Sequence, residues 1–467
     1  MTAKDIAMVK VMKFGGTSVQ DAGKIRQICS IIKNESRNAK TAVVFSAMSG
    51  ITDLLIESSK TAAAGSNRYM ENIELLRTRQ NEAVKDLLQK SMAEKVMAKI
   101  EEMIEELSNI LHGIELVKEC SPRSLDLVAS FGERLNNFLI ASYMQGEGEE
   151  AEYVDARDII KTNNQYTRAV VNYDTSYPLI RERLSKIKGI PVVTGFIGSA
   201  EDGSTTTLGR NGSDFTASII AAAIKADVIE KWTDVDGVLS ADPRLVKTAF
   251  VVPEISVQEA MELSYFGAKV IHPYTMIPAV ENSIPICIKN TENPQSPGTM
   301  IIKSPRPNDR PITGIASISN VSLINIEGGG MLGLHGFASR VFGVLAKYDV
   351  NIIMISQASS EHTICVVCLE EDSKRALKGL NENLKEEIET KRIQQLELIE
   401  NLEIIAIIGE NMRGTPGIAG KLFNTLGENS INVLAIAQGS SERNLSFVIS
   451  KDETKKALNA IHKSFLG

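Results

Sequence analysis

The chain has no basic excess: its 467 residues carry 51 basic against 58 acidic side chains, a formal charge of −7. A protein that holds nucleic acid by neutralising phosphates needs the opposite balance, so no nucleic-acid partner is expected. Aromatics are scarce at 5%, with a single Trp. There is no apolar run of 18 residues, and the opening MTAKDIAMVKVMKFGG is broken by Lys4, Asp5, Lys10 and Lys13. Neither a signal peptide nor a membrane span is expected, which places the protein in the cytoplasm. The five Cys, at 29, 120, 287, 365 and 368, are too few and too scattered for a disulfide framework. Cys365-Val-Val-Cys368 has the spacing of half a zinc site, but no second pair follows, and residues three apart on a strand face opposite ways. The five His show no metal-ligand spacing. What remains is an ordinary globular composition, 43% hydrophobic and 23% charged, long enough for two or three domains.

Periodicity organises the first 300 residues. Residues 9–15 are a short apolar strand ending in Gly15-Gly16, residues 22–33 have helical spacing, and Thr41–Phe45 makes a second strand, a βαβ opening. From about 70 to 118, Ile100, Met103, Ile104, Leu107 and Leu111 recur at spacings of three and four, which predicts one long amphipathic helix. Strand-like runs at 190–194, 228–232 and 284–288 alternate with helical segments at 213–225 and 256–270, as in a mostly parallel sheet covered on both faces. Ser304-Pro-Arg-Pro-Asn-Asp-Arg-Pro311 breaks the pattern with three Pro in eight residues. We place the boundary there: a catalytic domain over 1–303 and a linker over 304–311.

Beyond the linker the sequence repeats itself at a constant offset of 81: Met331 aligns with Met412, Asn351 with Asn432, and Gln357 with Gln438. Each copy reads strand, Gly-containing loop, helix, strand, strand, so two small α+β modules are expected over 312–395 and 396–467. Residues 328–333, Gly-Gly-Gly-Met-Leu-Gly, satisfy G-x-G-x-x-G, but an 81-residue repeat leaves no room for the successive βαβ units a dinucleotide needs.

Four polar, hydroxyl-rich segments fall where open α/β sheets bind ligands, at expected strand ends: Lys13-Phe-Gly-Gly-Thr-Ser18, Ser46–Thr52, Ser130-Phe-Gly-Glu-Arg134 and Thr207–Asp214. In the first, two glycines let the backbone approach an anion, the hydroxyls donate, and Lys13 supplies charge. The last two place Glu133, Arg134, Arg210 and Asp214 in what read as Gly-flanked turns, where charge has little structural purpose and suits a charged small molecule. Trp232-Thr-Asp-Val-Asp-Gly237, Asp242-Pro-Arg244 and Phe266–Pro273 add further polar turns and another lysine, Lys269.

Together VMKFGGTSV, SFGER, VVTGFIG with TLGRNGSDF, WTDVDGV with ADPR, and FGAKVIHP resemble aspartate kinase, of the amino-acid-kinase superfamily. The repeated half resembles its tandem ACT modules, which have a ferredoxin-like α+β fold. GRNGSD and IIMISQASSEH resemble the kinase part of bifunctional aspartokinase–homoserine dehydrogenases, and because the chain stops after the second module a monofunctional enzyme is expected. The resemblance implies transfer of phosphate from MgATP to the side-chain carboxylate of L-aspartate, the first step towards lysine, threonine and methionine. It implies catalytic roles for Lys13 and Asp214 and aspartate contacts from Thr52, Glu133 and Arg210. It implies ATP contacts from Lys13, Gly15, Gly16, Ser18, Thr233, Asp234, Arg244 and Lys269, with magnesium carried by the nucleotide. Leu239 stands where the family has Tyr, which weakens the expectation for nucleotide affinity. By the same resemblance Met331, Asn351, Ile355, Gln357, Asn432 and Gln438 hold an amino-acid effector, threonine first and lysine second, with ACT regions pairing chains into at least a dimer. Two rivals stay open on the residues alone: a kinase of glutamate or N-acetylglutamate, although Glu133 and Arg210 together favour a free α-amino acid and an N-acetylated substrate would have no use for Glu133, and a non-catalytic amino-acid sensor, against which the presence of both Lys13 and Asp214 speaks.

Overall fold

The structure is a computed structural model that describes residues 8–267, 272–306, 310–329, 336–357 and 363–467. The chain divides into two units: residues 1–238, 253–257 and 270–305 form the first, and 239–252, 258–269 and 306–467 the second.

In the first unit the strands are β1 (Met8–Phe14), β2 (Ala39–Phe45), β3 (Ala151–Val154), β4 (Lys161–Thr162), β5 (Ile190–Thr194), β6 (Ile197–Ala200), β7 (Thr205–Thr207), β8 (Val228–Thr233), β9 (Glu254–Ser256), β10 (Ile286–Asn290) and β11 (Thr299–Ile302). Eight of them make one sheet in the order β3-β5-β2-β1-β8-β10-β11-β9. Every pairing in it is parallel except β10 with β11. β1 sits at its centre and is buried from Val11 to Phe14, as a strand covered on both faces must be. Short strands β4, β6 and β7 form a second, three-stranded sheet. One core runs from Met12, Phe14 and Trp232 through Ile28, Leu55, Leu107 and Leu135.

Two expectations need correction. The long helix is two, Tyr69–Leu87 and Lys90–Val117. Leu88 and Gln89 are extended, with ψ of 145° and 150°. No Gly or Pro is needed for the break, because turning the chain lets both apolar stripes, Ile73-Leu76-Val84 and Val96-Ile100-Leu107, reach the same core. Nor is Ser130–Arg134 a turn: it lies inside the helix Pro122–Gly146. Gly132 is there for packing, since a Cβ on it would meet the Ala47 Cβ at 2.8 Å.

The second unit holds β12 (Gly314–Glu327), β13 (Ile352–Gln357), β14 (Thr363–Leu369), β15 (Gln395–Ile408), β16 (Ala435–Gln438) and β17 (Asn444–Ser450). They form one antiparallel sheet in the order β13-β14-β12-β15-β17-β16. Helices Phe337–Lys347 and Glu370–Asn383 accompany the first copy, and Ile418–Glu428 and Thr454–Leu466 the second. The two long strands, β12 and β15, are shared between the two copies. Ile324 and Ile326 pack in one core, onto which Leu396 and Leu398 also fold, whereas Ile312, Ile315, Ile405 and Ile407 pack in the other. The start of each long strand thus serves one module and its end the other. Residues before the linker join the second unit: Ala241 and Val246 enter the second of these cores, and His462 joins Ser240 at 3.0 Å and Thr248 at 3.2 Å. Among the described residues, no helix is long and apolar enough to cross a membrane.

Candidate active site

Strands β1 and β2 end side by side, and each runs into a turn whose backbone is tied to the other. Ser46 N donates to the Phe14 carbonyl at 3.2 Å, and Ser49 N to the Gly16 carbonyl at 3.1 Å. Gly16 is required here, since a Cβ would lie 2.9 Å from the Ala47 carbonyl oxygen. Gly50, at φ 79°, lets the second turn open the helix Ile51–Ala63, and Asn211, at φ 58°, opens Gly212–Ile224. Asn136 donates to the Ser46 carbonyl at 2.7 Å, pinning the Pro122–Gly146 helix to the end of β2. These turns and helix starts surround a cavity of about 650 Å³. Helix N-termini and exposed turn N–H groups around one cavity favour anions.

The cavity wall contains Lys13, Gly15, Gly16, Thr52, Glu133, Arg210 and Asp214. Each of these was expected at the site, and the fold brings them together from four separate chain segments. Lys13 Nζ lies 2.6 Å from Asp214 Oδ1. A second lysine, Lys231 of β8, lies 2.6 Å from Asp214 Oδ2. Burial alone would raise the Asp214 carboxyl, but the two ammonium charges outweigh it and hold it well below the usual carboxylate range. Glu133 behaves oppositely: burial pushes it up to about 8, opposed only in part by the Ala47 backbone N–H and by Lys13. Its Oε2 finds no hydrogen-bond partner among the described residues. Arg210, in a turn made by Gly209 at φ 77°, is exposed and has no acidic partner among the described residues.

The remaining nucleotide candidates are not in this wall. Ser18 is buried, with a hydroxyl that has no partner among the described residues. Thr233 ends β8 and donates to exposed Asp234 at 3.1 Å. Arg244 belongs to the second unit, is highly exposed, and pairs with Asp242 at 2.7 Å. Lys269 and Met331 lie outside the described residues. Of the effector candidates, Ile355 and Gln357 are exposed on edge strand β13 and Gln438 on edge strand β16, with Asn351 and Asn432 just before those strands. Ser356 Oγ donates to the Ile436 carbonyl at 2.8 Å, so the two edges approach each other.

Two residues at the site escaped notice in the sequence. Lys231 interrupts the apolar β8 as the second charge in Val-Ile-Glu-Lys-Trp, a signal that was there to be seen. Asp126 is buried in the cavity wall and accepts from Thr167 N at 2.8 Å, Thr207 N at 2.9 Å and Thr207 Oγ1 at 2.8 Å. Only proximity in the fold reveals it.

A family model described as the amino acid kinase family matches residues 8–290, and one described as an ACT domain matches 324–384 and 405–465. The chain is 37% identical over 468 residues to bifunctional aspartokinase/homoserine dehydrogenase 2, chloroplastic, of Arabidopsis thaliana, covering 98% of this chain and 51% of that one. It therefore spans about half the length of the bifunctional plant relatives it matches. It is 35% identical to aspartokinase 3, chloroplastic, of the same plant, covering 97% of this chain and 81% of that one. Among solved structures it is similar to E. coli aspartokinase III in complex with aspartate and ADP in an R-state, with 28% identity, TM-score 0.78, and coverage of 98% and 100%. The T-state of the same enzyme, with lysine and aspartate, gives 29% identity, TM-score 0.83 and the same coverage.

Proposed function

We propose, from the premise that the chain belongs to the amino acid kinase family and to its aspartokinases, that the first unit phosphorylates the side-chain carboxylate of L-aspartate to 4-phospho-L-aspartate. The observation that carries this is the content of one cavity: a lysine–aspartate pair at one place, and a buried carboxyl and an unpaired arginine at others. An α-amino acid needs an anion for its ammonium and a fork of donors for its α-carboxylate, which Glu133 and Arg210 supply, with Thr52 as a further donor. The E. coli relative solved with aspartate and ADP supports the same substrate pair.

The acceptor carboxylate is already deprotonated at neutral pH, so no general base is required. The obstacle is repulsion between two anions. Lys13 lies against the transferring phosphates, Gly15, Gly16 and Ser18 cradle them, and Asp214 orients Lys13, so that catalysis is positioning and charge neutralisation. The nucleotide is taken as its magnesium complex, with Thr233 and Asp234 at the end of β8 as further contacts.

For regulation we propose an amino-acid effector, threonine ahead of lysine, held by Gln357 and Gln438 with Met331, Asn351, Ile355 and Asn432. A Gln amide both donates and accepts, as a zwitterion with a hydroxyl requires. Ile355 and Ile436, 81 residues apart on β13 and β16, are each 43% exposed, and these apolar side chains suit contact with a second chain. Formation of aspartyl hydroxamate from MgATP and hydroxylamine tests the reaction: aspartate should react, and glutamate and N-acetylglutamate should not.

A further inference from the structure

The parallel register of β1 and β8 sets Lys13 directly beside Lys231. In-register neighbours point to the same face of a sheet, so the fold forces two ammonium groups side by side. Their side chains are only 10% and 16% exposed, so water does little to screen them. Asp214, from the first turn of the Gly212–Ile224 helix, gives one oxygen to each at 2.6 Å. The trio carries a net charge of +1.

The other face of the same strands shows how a purely structural network is balanced. There Lys10 meets Glu35 at 2.5 Å and Glu230 at 3.0 Å, while Lys289 meets the same two carboxylates at 3.6 and 3.8 Å. Two cations face two anions, and the sum is zero. On the cavity side the surplus charge is left in place. Lys13 and Asp214 reach the large cavity, whereas Lys231 does not; it shares with them a separate void of about 20 Å³, whose other walls include Thr275, Met276 and Ile286. Lys13 also acts on Glu133, but burial pushes that carboxyl up to about 8, so near neutral pH it is mostly uncharged and leaves the surplus in place. On the β10 side Lys231 is paired with apolar Ile288.

We propose that Lys231 is a positioning residue for phosphoryl transfer: it occupies one oxygen of Asp214, so that Asp214 holds Lys13 by the other oxygen only and the cluster keeps a positive charge towards the phosphates. This rests on the kinase reading of the first unit. Burial lowers the Lys231 ammonium below the usual lysine range, the neighbouring Lys13 adds to that, and Asp214 opposes it. Activity should therefore fall on the alkaline side as Lys231 loses its proton.

Steady-state kinetics of Lys231→Met and Lys231→Arg, with the folded state checked by circular dichroism, test it. In Lys231→Met, Asp214 turns both oxygens to Lys13 and the surplus charge is gone. The expected result is a fall in kcat of at least about tenfold with a higher KM for MgATP and an unchanged KM for aspartate. Lys231→Arg keeps the charge at all accessible pH, so it should keep most of kcat and move the alkaline fall to higher pH. Parental kcat and pH profile in Lys231→Met, or the parental alkaline fall in Lys231→Arg, would overturn the proposal. If Lys231→Met does not fold, the Arg profile alone decides. An unsubstituted protein inactive on all three acids would instead remove the kinase reading, and this inference with it.

Discussion

Glu133 is a carboxyl deprived of water, and that sets how the amino-acid pocket responds to pH. Burial pushes it up to about 8, so at neutral pH the empty site holds mostly the neutral acid, which is a poor partner for an ammonium. Raising the pH towards 8 ionises it while a substrate amino acid stays protonated. The KM for aspartate should therefore fall between about pH 6.5 and 8, and Glu133→Gln should raise that KM and flatten its pH dependence, as initial-rate kinetics at each pH will show. Residue by residue, the sequence was legible where polar groups stood at strand ends and helix starts: Lys13 near the end of β1, Thr52 and Asp214 in the first turns of their helices and Arg210 in a turn all reach one cavity. It was not legible for Asp126, whose partners Thr167 and Thr207 are distant in the chain.

At the scale of elements, strand and helix positions followed from periodicity because burial on one stripe or on both faces leaves a pattern. The misreading of Ser130–Arg134 as a turn has a physical cause, which is that glycine has two uses. In Gly15-Gly16 it makes room for a turn against Ala47, but in Ser130–Arg134 it makes room for a whole helix against the same residue. Sequence alone shows the missing Cβ and not what occupies its place. Gly132→Ala should push the Pro122–Gly146 helix off the 46–50 turn, costing about 1–3 kcal/mol as overpacking does. Thermal melting should shift down, and the KM for aspartate should rise because Glu133 is the next residue on that helix.

For the whole molecule, the offset of 81 announced two modules, and the family matches at 324–384 and 405–465 keep that same offset. What it did not announce is the exchange of half-strands between them, because a repeat records similarity and not which half packs in which core. The sharing makes the second unit one folding body, with 239–252 built into it. An effector acts on the kinase only if it binds two global states with different affinity. Gln357→Ala and Gln438→Ala should each reduce inhibition by threonine in an activity titration while leaving uninhibited turnover nearly intact; inhibition that survives both would place the sensor elsewhere.

The central claim is that one cavity holds a free amino acid between Glu133 and Arg210 with its side-chain carboxylate turned towards Lys13. A crystal structure of the protein with L-aspartate and a non-hydrolysable ATP analogue tests it most directly. It should show the α-carboxylate in a two-pronged contact with Arg210, the ammonium on Glu133, and the side-chain carboxylate and terminal phosphate both near Lys13. Aspartate bound outside this cavity, or reversed so that its side chain meets Arg210, would contradict it.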